Sequence, residues 1–174
     1  YFPHFDADLV ITKMMRGARW EESKYYGMSR EEIKEMWNSS GKEASELGTL
    51  MHKAIEDYYN QCLDVYPDTP EFGMFLNFWA DLQQALPGIK PYRTEWLVYD
   101  ESVNITGSID CVLQLPNGDL IIADWKRSKE IKKDNKYEKG FGPMTKIDNC
   151  NYNHYCLQLN FYRHILTTKY NKNV

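Results

Sequence analysis

The first half of the chain carries apolar residues at the three- and four-residue spacing of amphipathic helices. Ser29 followed by Glu32 is a capping-box pattern, which predicts a helix that begins there and runs through Ile33 and Trp37. A second amphipathic helix is predicted over about 47–64. Its apolar stripe consists of Leu47, Leu50, Met51, Ala54, Ile55, Tyr58 and Cys62.

A third helical stripe follows a short polar segment. Thr69 has the character of an N-cap, and Pro70 suits the first turn of the helix that follows it. Pro87 and Gly88 predict the end of this helix. Its apolar positions are Phe72, Phe75, Leu76, Trp79, Leu82 and Leu86. Residues 1–88 are therefore predicted to form a mainly helical wall.

The period of the apolar pattern then changes from that of helices to that of strands. Residues 92–99 and 103–115 are rich in β-branched and aromatic side chains, which predicts two strands. The Pro-Asn-Gly-Asp segment at 116–119 predicts a tight turn. The mostly apolar run 120–126 predicts a third, central strand. The polar, lysine-rich stretch 127–149 predicts a loop.

A helical pattern returns from about Asn153 to Tyr170. Helices, then a hairpin-rich sheet, then a helix predict an α/β fold of α+β-like layering. The chain has 174 residues, of which 43% are hydrophobic and 26% charged, and this composition suits one globular domain. We expect 1–174 to form a single domain in which 89–174 carry the sheet and the C-terminal helix.

The cysteines and the length of the apolar runs bear on the cellular location of the protein. Cys62, Cys111, Cys150 and Cys156 form no C-x-x-C pair, and a chain of this size needs no disulfide framework. No run of about 18 apolar residues and no signal-peptide pattern is present. We therefore expect an intracellular, reducing setting, which could be nuclear, mitochondrial or viral. The formal net charge of −4 does not favour nucleic-acid binding, but its distribution matters more than its sum.

Three charged residues are predicted to meet at the end of the third strand. Asp124 and Lys126 are two positions apart, so on a strand their side chains share a face. Asp110 lies on the preceding strand, and pairing through the turn can bring it close to Asp124. Two carboxylates at the edge of an apolar sheet are costly unless a cation neutralises them. Because Mg²⁺ prefers such oxygen ligands, the pattern predicts a divalent metal site.

Four short patterns stand in one order along the chain. They are G-T-L-M-H at 48–52, G-S-I-D at 107–110, A-D-W-K at 123–126 and Q-L-N-F-Y at 158–162. This order resembles the PD-(D/E)XK nuclease superfamily and, more narrowly, its RecB-like branch, which includes the mitochondrial genome maintenance exonuclease. The resemblance implies a restriction-endonuclease-like core with a central mixed sheet flanked by helices. It also implies catalysis with one or two Mg²⁺ or Mn²⁺ ions.

The resemblance assigns metal-binding and catalytic roles by position. His52, Asp110 and Asp124 would be metal ligands, and the backbone carbonyl of Trp125 would be a further one. Lys126 would be the catalytic lysine, whose fixed positive charge stabilises the transition state or orients the attacking water. For His52 the ordinary alternative is a histidine whose hydrogen bonds are satisfied in the core.

Three further positions would support the active site. Gln158 and Tyr162 share a helical face, and the resemblance implies that they hold Lys126 or the scissile strand. Glu95 would have a supporting catalytic role, the alternative being a surface charge. Some members of the branch carry an iron–sulfur cluster, but the close cysteine spacing is absent here, so no cluster is expected.

A basic run follows the predicted catalytic strand directly. It is formed by Lys126, Arg127, Lys129, Lys132, Lys133, Lys136 and Lys139. Such a run is often only a solvated loop, but its position predicts a flap that contacts phosphates. We expect Arg127, Lys129, Lys132 and Lys133 to bind nucleic acid, with Tyr155 stacking on an unpaired base.

These features together predict a monomeric, metal-dependent deoxyribonuclease that hydrolyses DNA phosphodiester bonds. A preference for single-stranded ends and exonucleolytic cleavage follows from the resemblance alone. Two alternatives stay open. A cap-snatching-like RNA endonuclease has similar residues, but the Gln158 and Tyr162 helix argues against it. A catalytically silent nucleic-acid-binding module of nuclease fold is the other, and the intact Asp124 and Lys126 pair argues against that.

Overall fold

The computed structural model describes residues 2–62 and 64–174. Four α-helices, a three-stranded sheet and a short 3-10 helix are found in these residues. Their bounds are α1 Ala7–Met15, α2 Arg30–Tyr59, α3 Pro70–Ala85, β1 Lys90–Asp100, β2 Ile105–Gln114, β3 Leu120–Ala123, the 3-10 helix Gly142–Met144 and α4 Asn151–Thr168.

Helix α2 begins where the capping box predicts. Ser29 Oγ accepts a hydrogen bond from Glu32 N at 3.2 Å, and the Glu32 carboxylate accepts one from Ser29 N at 2.7 Å. The two helices predicted from 29 and over 47–64 are one continuous helix, since no proline separates them. It ends at Tyr59, so the predicted end at 64 is wrong; residue 63 lies outside the described residues.

Part of the predicted apolar stripe of α2 is not buried. The side chains of Leu47 and Leu50 are 38% and 65% exposed, whereas Ile55 and Tyr59 lie in the core. The helix packs on the rest of the protein mainly through its two ends, where Ile33 and Ile55 are fully or nearly fully buried. Its middle turns face solvent.

Helix α3 follows the predicted pattern closely. Thr69 Oγ1 accepts a hydrogen bond from Phe72 N at 3.3 Å, and Pro70 occupies the first turn. The helix ends at Ala85, just before Pro87 and Gly88. Its buried residues Phe72, Phe75 and Trp79 pack against the C-terminal half of α2.

The sheet has the strand order β1-β2-β3 and is antiparallel in these three strands. The expectation of a mixed sheet is therefore wrong for the described residues, because strands joined by short turns pair antiparallel. Strand β3 is also shorter than predicted and ends at Ala123, which pairs with Cys111. The next donor, Trp125 N, bonds the side chain of Asp110 at 2.8 Å instead of a backbone carbonyl, which ends the ladder.

Two apolar clusters cover the sheet. One joins α2 and α3 to the sheet through residues that include Ile55, Phe75, Cys111 and Leu113. The other joins α4 to the sheet and is formed by Trp96, Val98, Ile109, Val112, Leu120, Tyr162, Ile165 and Leu166. This α+β layering confirms the predicted fold class and is consistent with a restriction-endonuclease-like core.

The segment between β3 and α4 is mostly irregular, as predicted. Within 127–149 the chain forms a single 3-10 turn and a bridge between Lys139 and Asp148. Helix α4 begins at Asn151, two residues before the predicted start. Among residues 2–62 and 64–174, no helix combines the length and the apolar character needed to cross a bilayer.

Candidate metal centre and active site

The backbone of β1 is irregular at Glu95. The flanking pairs are Thr94 with Cys111 and Trp96 with Ile109, so the register sets Glu95 opposite Asp110. Glu95 has a φ of 43°, a left-handed conformation that costs energy for a residue other than glycine. Such local strain is typical of functional sites, where the surrounding structure holds it in place.

Strand β2 changes its packing partner at the same point. Regular alternation would put residues 109 and 111 on one face of the sheet. Instead Ile109 belongs to the cluster beneath α4, and Cys111 belongs to the cluster beneath α2 and α3. Asp110 therefore lies at the crossover between the two layers of the core.

Three side chains from three elements converge at this crossover. His52 of α2, Glu95 of β1 and Asp110 of β2 each offer one ligand atom within 4.8 Å of the other two. His52 Nδ1 lies 3.5 Å from Asp110 Oδ2. Ligands of one ion at about 2.1 Å each lie at most about 4.2 Å apart. A small adjustment of these side chains would therefore close them around a cation.

The backbone of Trp125 contacts this group through both its N–H and its carbonyl oxygen. Its N–H donates to Asp110 Oδ2 at 2.8 Å, and its carbonyl oxygen lies 2.7 Å from His52 Nε2. The carbonyl thus lies beside the imidazole. The resemblance assigns these two groups as ligands of one ion. A carbonyl and carboxylate oxygens with an imidazole nitrogen form a donor set that a divalent metal accepts.

Asp124 lies beside this three-residue group but outside it. Its side chain is only 4% exposed, and one carboxylate oxygen forms an ion pair with Lys126 Nζ. Its other oxygen, Oδ1, is buried and has no hydrogen-bond partner among the residues the structure describes. A buried carboxylate oxygen without a donor is costly, and a cation would satisfy it. The donor chemistry therefore fits a metal at this place.

The surroundings of Asp110 disfavour the charged form of its carboxyl group in the metal-free protein. Burial raises the pKa of its carboxyl above the ordinary value, and the nearby charge of Asp124 raises it further. The Trp125 N–H, His52 and Lys126 act in the opposite direction, but the net pKa is raised. A bound cation would therefore stabilise the charged form of Asp110.

Glu95 is exposed, and its carboxylate accepts one hydrogen bond from the neighbouring strand. Ser108 Oγ donates to Glu95 Oε2 at 3.0 Å across the two strands. Ser108 and Asp110 are two positions apart, so on a regular strand their side chains would share a face of β2. The positive φ that turns Glu95 towards Asp110 has no signature in the sequence.

Helix α4 borders the site through two different contacts. Gln158 Nε2 donates to Tyr162 Oη at 3.1 Å, and Tyr162 is buried against β2. A β-carbon added to Gly107 would lie 2.6 Å from Tyr162 Cε1, so glycine permits this approach. Lys126 Nζ instead lies 5.7 Å from the ring centre of Tyr155. Tyr155 is thus one neighbour of Lys126 on this helix.

The basic segment after β3 is tied to both neighbouring helices. Arg127 Nε pairs with Glu71 of α3 at 2.8 Å, and Lys132 N donates to Asn151 Oδ1 at 2.8 Å. Lys133 Nζ lies 5.9 Å from the ring centre of Tyr152. Lys129 lines a pocket together with Lys126 and Arg127. The segment therefore follows a defined path beside the candidate centre.

The four cysteines are free and lie apart in the fold. Cys111 and Cys150 are buried, Cys156 is half-buried and Cys62 is exposed. Cys150 is the residue before α4, and Cys111 lies in the middle of the sheet. The absence of an iron–sulfur cluster stays a prediction.

Comparison with known proteins gives one family match. The sequence model of the family described as the PD-(D/E)XK nuclease superfamily matches residues 71–174, more than half of the chain. The matched segment contains Glu95, Asp110, Asp124 and Lys126, while His52 precedes it. Neither the curated proteins nor the solved structures gave a match.

Proposed function

The chain belongs to the PD-(D/E)XK nuclease superfamily, and from this we propose that it is a metal-dependent deoxyribonuclease that cleaves single-stranded DNA from its ends. Members of the superfamily are generally phosphodiesterases that use divalent metals. The observation that carries the proposal is the convergence of His52, Glu95 and Asp110 beside the Trp125 carbonyl. The unsatisfied Asp124 Oδ1 supports it.

The proposed ligands are His52, Asp110, Asp124 and the carbonyl of Trp125, with Glu95 beside them. Asp124 would reach the ion through its unpartnered Oδ1, while its other oxygen stays with Lys126. We expect Mg²⁺ or Mn²⁺, because most of these ligands are oxygens. Bound there, the ion would polarise the phosphate and acidify a water.

Lys126 would act on the reacting groups directly. Its ammonium is held by Asp124 and by the face of Tyr155, so its position is fixed before substrate binds. From there it can donate to the attacking water or to a phosphate oxygen on which charge develops. Hydrolysis adds the water oxygen to phosphorus and breaks one phosphorus–oxygen ester bond, and the leaving oxygen receives a proton.

Gln158 and Tyr162 would act as positioning residues. Their mutual hydrogen bond fixes the face of α4 that packs on Gly107, three residues before Asp110. Loss of this contact would shift β2 against α4. We therefore expect their replacement to lower the rate without abolishing metal binding.

The choice of DNA and of single-stranded ends rests on the resemblance of the four sequence patterns to the RecB-like branch. The basic segment supports a nucleic-acid substrate because Arg127, Lys129, Lys132 and Lys133 follow directly from the candidate centre. Tyr155 adds an aromatic face beside Lys126. The overall negative charge would confine phosphate binding to this face.

Digestion of matched oligonucleotides with Mn²⁺ tests this function. The substrates are single-stranded DNA, duplex DNA and RNA of one sequence, each with free and with blocked ends. Their rates of cleavage should differ, and free-ended single-stranded DNA should be cut fastest. Lys126→Ala and Asp110→Asn should remove the activity, and Lys42→Ala and Asp81→Asn, which alter exposed charges on α2 and α3, should keep it. Cleavage of RNA alone would favour an RNA endonuclease. Binding with no cleavage of any substrate would favour a silent module.

A further inference from the structure

A pocket of about 460 Å³ lies beside the candidate metal centre. Trp125 and Lys126 belong to both places. The backbone of Trp125 contacts Asp110 and His52, while its ring forms part of the pocket wall. The pocket and the centre are therefore separated by a single residue.

The wall of the pocket is apolar and partly aromatic. The Trp125 ring meets Phe75 and Phe78 edge to face, each at 5.6 Å between ring centres. Met74 and Phe78 are 71% and 42% exposed, although both belong to α3. Single exposed apolar side chains are ordinary, but several around one concave surface are typical of a binding site.

Three cationic residues also line the pocket, namely Lys126, Arg127 and Lys129. Arg127 is paired with Glu71, which lines the pocket as well. An apolar aromatic wall with positive charge beside it complements a nucleotide, since the base offers a flat apolar face and the phosphate a negative charge.

We propose that this pocket binds one unpaired base of the substrate strand, the base adjoining the phosphate held at the metal centre. This inference rests on the proposed function and deepens it, because it names the feature that selects single strands. Trp125 contributes to both the pocket wall and the candidate centre, so the two places adjoin. A base in a duplex would have to leave its stack to enter the pocket, which is unfavourable.

Equilibrium binding separates contact with the base from contact with the backbone. The probes are a fluorescent 12-residue oligothymidylate and a 12-residue abasic chain with the same phosphates, measured by anisotropy with Ca²⁺ in place of Mn²⁺. The wild type should bind the thymidylate more tightly. Phe78→Ala should weaken thymidylate binding by roughly 5- to 50-fold, as expected for loss of one stacked base, and leave abasic binding unchanged.

Two control variants make the result specific. Phe78→Tyr keeps the aromatic face and should bind both probes like the wild type. Tyr99→Ala removes another exposed aromatic, which lies against Tyr170 and outside the pocket, and it should change neither affinity. Equal loss on both probes in Phe78→Ala, or no loss on either, would overturn the proposal. Equal affinity of the wild type for both probes would assign the pocket to another occupant, such as an apolar peptide side chain.

Cleavage of the same thymidylate with Mn²⁺ is measured in parallel. If Phe78→Ala loses base-dependent binding but the wild type never cleaves, the pocket stands and the nuclease function fails. If the wild type cleaves and Phe78→Ala binds and cleaves equally well, the nuclease function stands and the pocket proposal fails.

Discussion

Asp110 is the residue at which stability and proposed function oppose each other most directly. Its carboxylate accepts a hydrogen bond from Trp125 N and lies 3.5 Å from His52 Nδ1, yet burial and Asp124 raise its pKa. A raised carboxyl pKa means that the folded protein holds a proton more tightly than the unfolded chain. The contribution of this group to stability is therefore fully present at low pH and is lost as pH rises through the folded pKa.

Asp110→Asn should consequently stabilise the metal-free protein at neutral pH relative to the wild type. The amide oxygen can still accept from Trp125 N, and the unfavourable charge is gone. The difference in unfolding free energy should shrink as pH falls towards the unfolded pKa, near 4. Urea unfolding from pH 4 to pH 8 in EDTA measures it, with Asp81→Asn as the exposed control. A wild type that is the more stable of the two at pH 8 would contradict the raised pKa.

Glu95 stores backbone strain at the same site. Its φ of 43° suits glycine far better than glutamate. Glu95→Gly should therefore be more stable than Glu95→Gln by about 1 kcal/mol, although both lose the carboxylate. Both variants should bind Mn²⁺ more weakly than the wild type. Unfolding and Mn²⁺ titration of the pair separate these effects, and equal stability of the two variants would show that the strain has no energetic role.

At the scale of elements, the sequence predicted most of what local chemistry determines. The caps at Ser29 and Thr69 and the turn at 116–119 stand where their residue types place them. The end of β3 could not be predicted, because it depends on a side chain 15 positions away taking the hydrogen bond of Trp125 N. The exposure of Leu50 likewise depends on where the rest of the chain packs along α2.

The contact between β2 and α4 gives an element-scale prediction. Gly107→Ala puts a methyl group 2.6 Å from Tyr162 Cε1, and this ring is buried and cannot move away freely. We expect a loss of about 1–3 kcal/mol in unfolding free energy. Gly73→Ala on the exposed face of α3 meets no neighbour and should instead stabilise by roughly 0.5–1 kcal/mol. Urea unfolding of both variants tests the contrast, and an unchanged Gly107→Ala would refute the close approach.

At the scale of the whole molecule, the candidate centre is assembled from parts far apart in the sequence. His52 comes from the long α2, Glu95 and Asp110 from a hairpin, and Asp124 and Lys126 from the segment after β3. The sequence named His52, Asp110, Asp124 and Lys126 through the motifs and strand parity, and Glu95 only through the family resemblance. It could not show that Glu95 joins His52 and Asp110 in one group of possible ligands while Asp124 stays outside that group, since this depends on the change of core layer at Asp110.

The geometry links the part of the chain that the family model matches to a helix outside the match. The match covers residues 71–174 and thus the hairpin and α4, but not α2. The contact between His52 Nε2 and the Trp125 carbonyl ties α2 to the matched part at the candidate centre. We therefore propose that His52 is part of the metal site and not only a residue of the helical wall.

Titration of the metal-free protein with Mn²⁺ by calorimetry tests the central claim most directly. The wild type and the exposed control Asp81→Asn should bind Mn²⁺ alike. Asp110→Asn should lose the binding, and His52→Ala should bind at least about 10-fold more weakly while keeping a cooperative unfolding transition. Undiminished Mn²⁺ binding by both of these variants would contradict a metal centre at His52, Glu95 and Asp110.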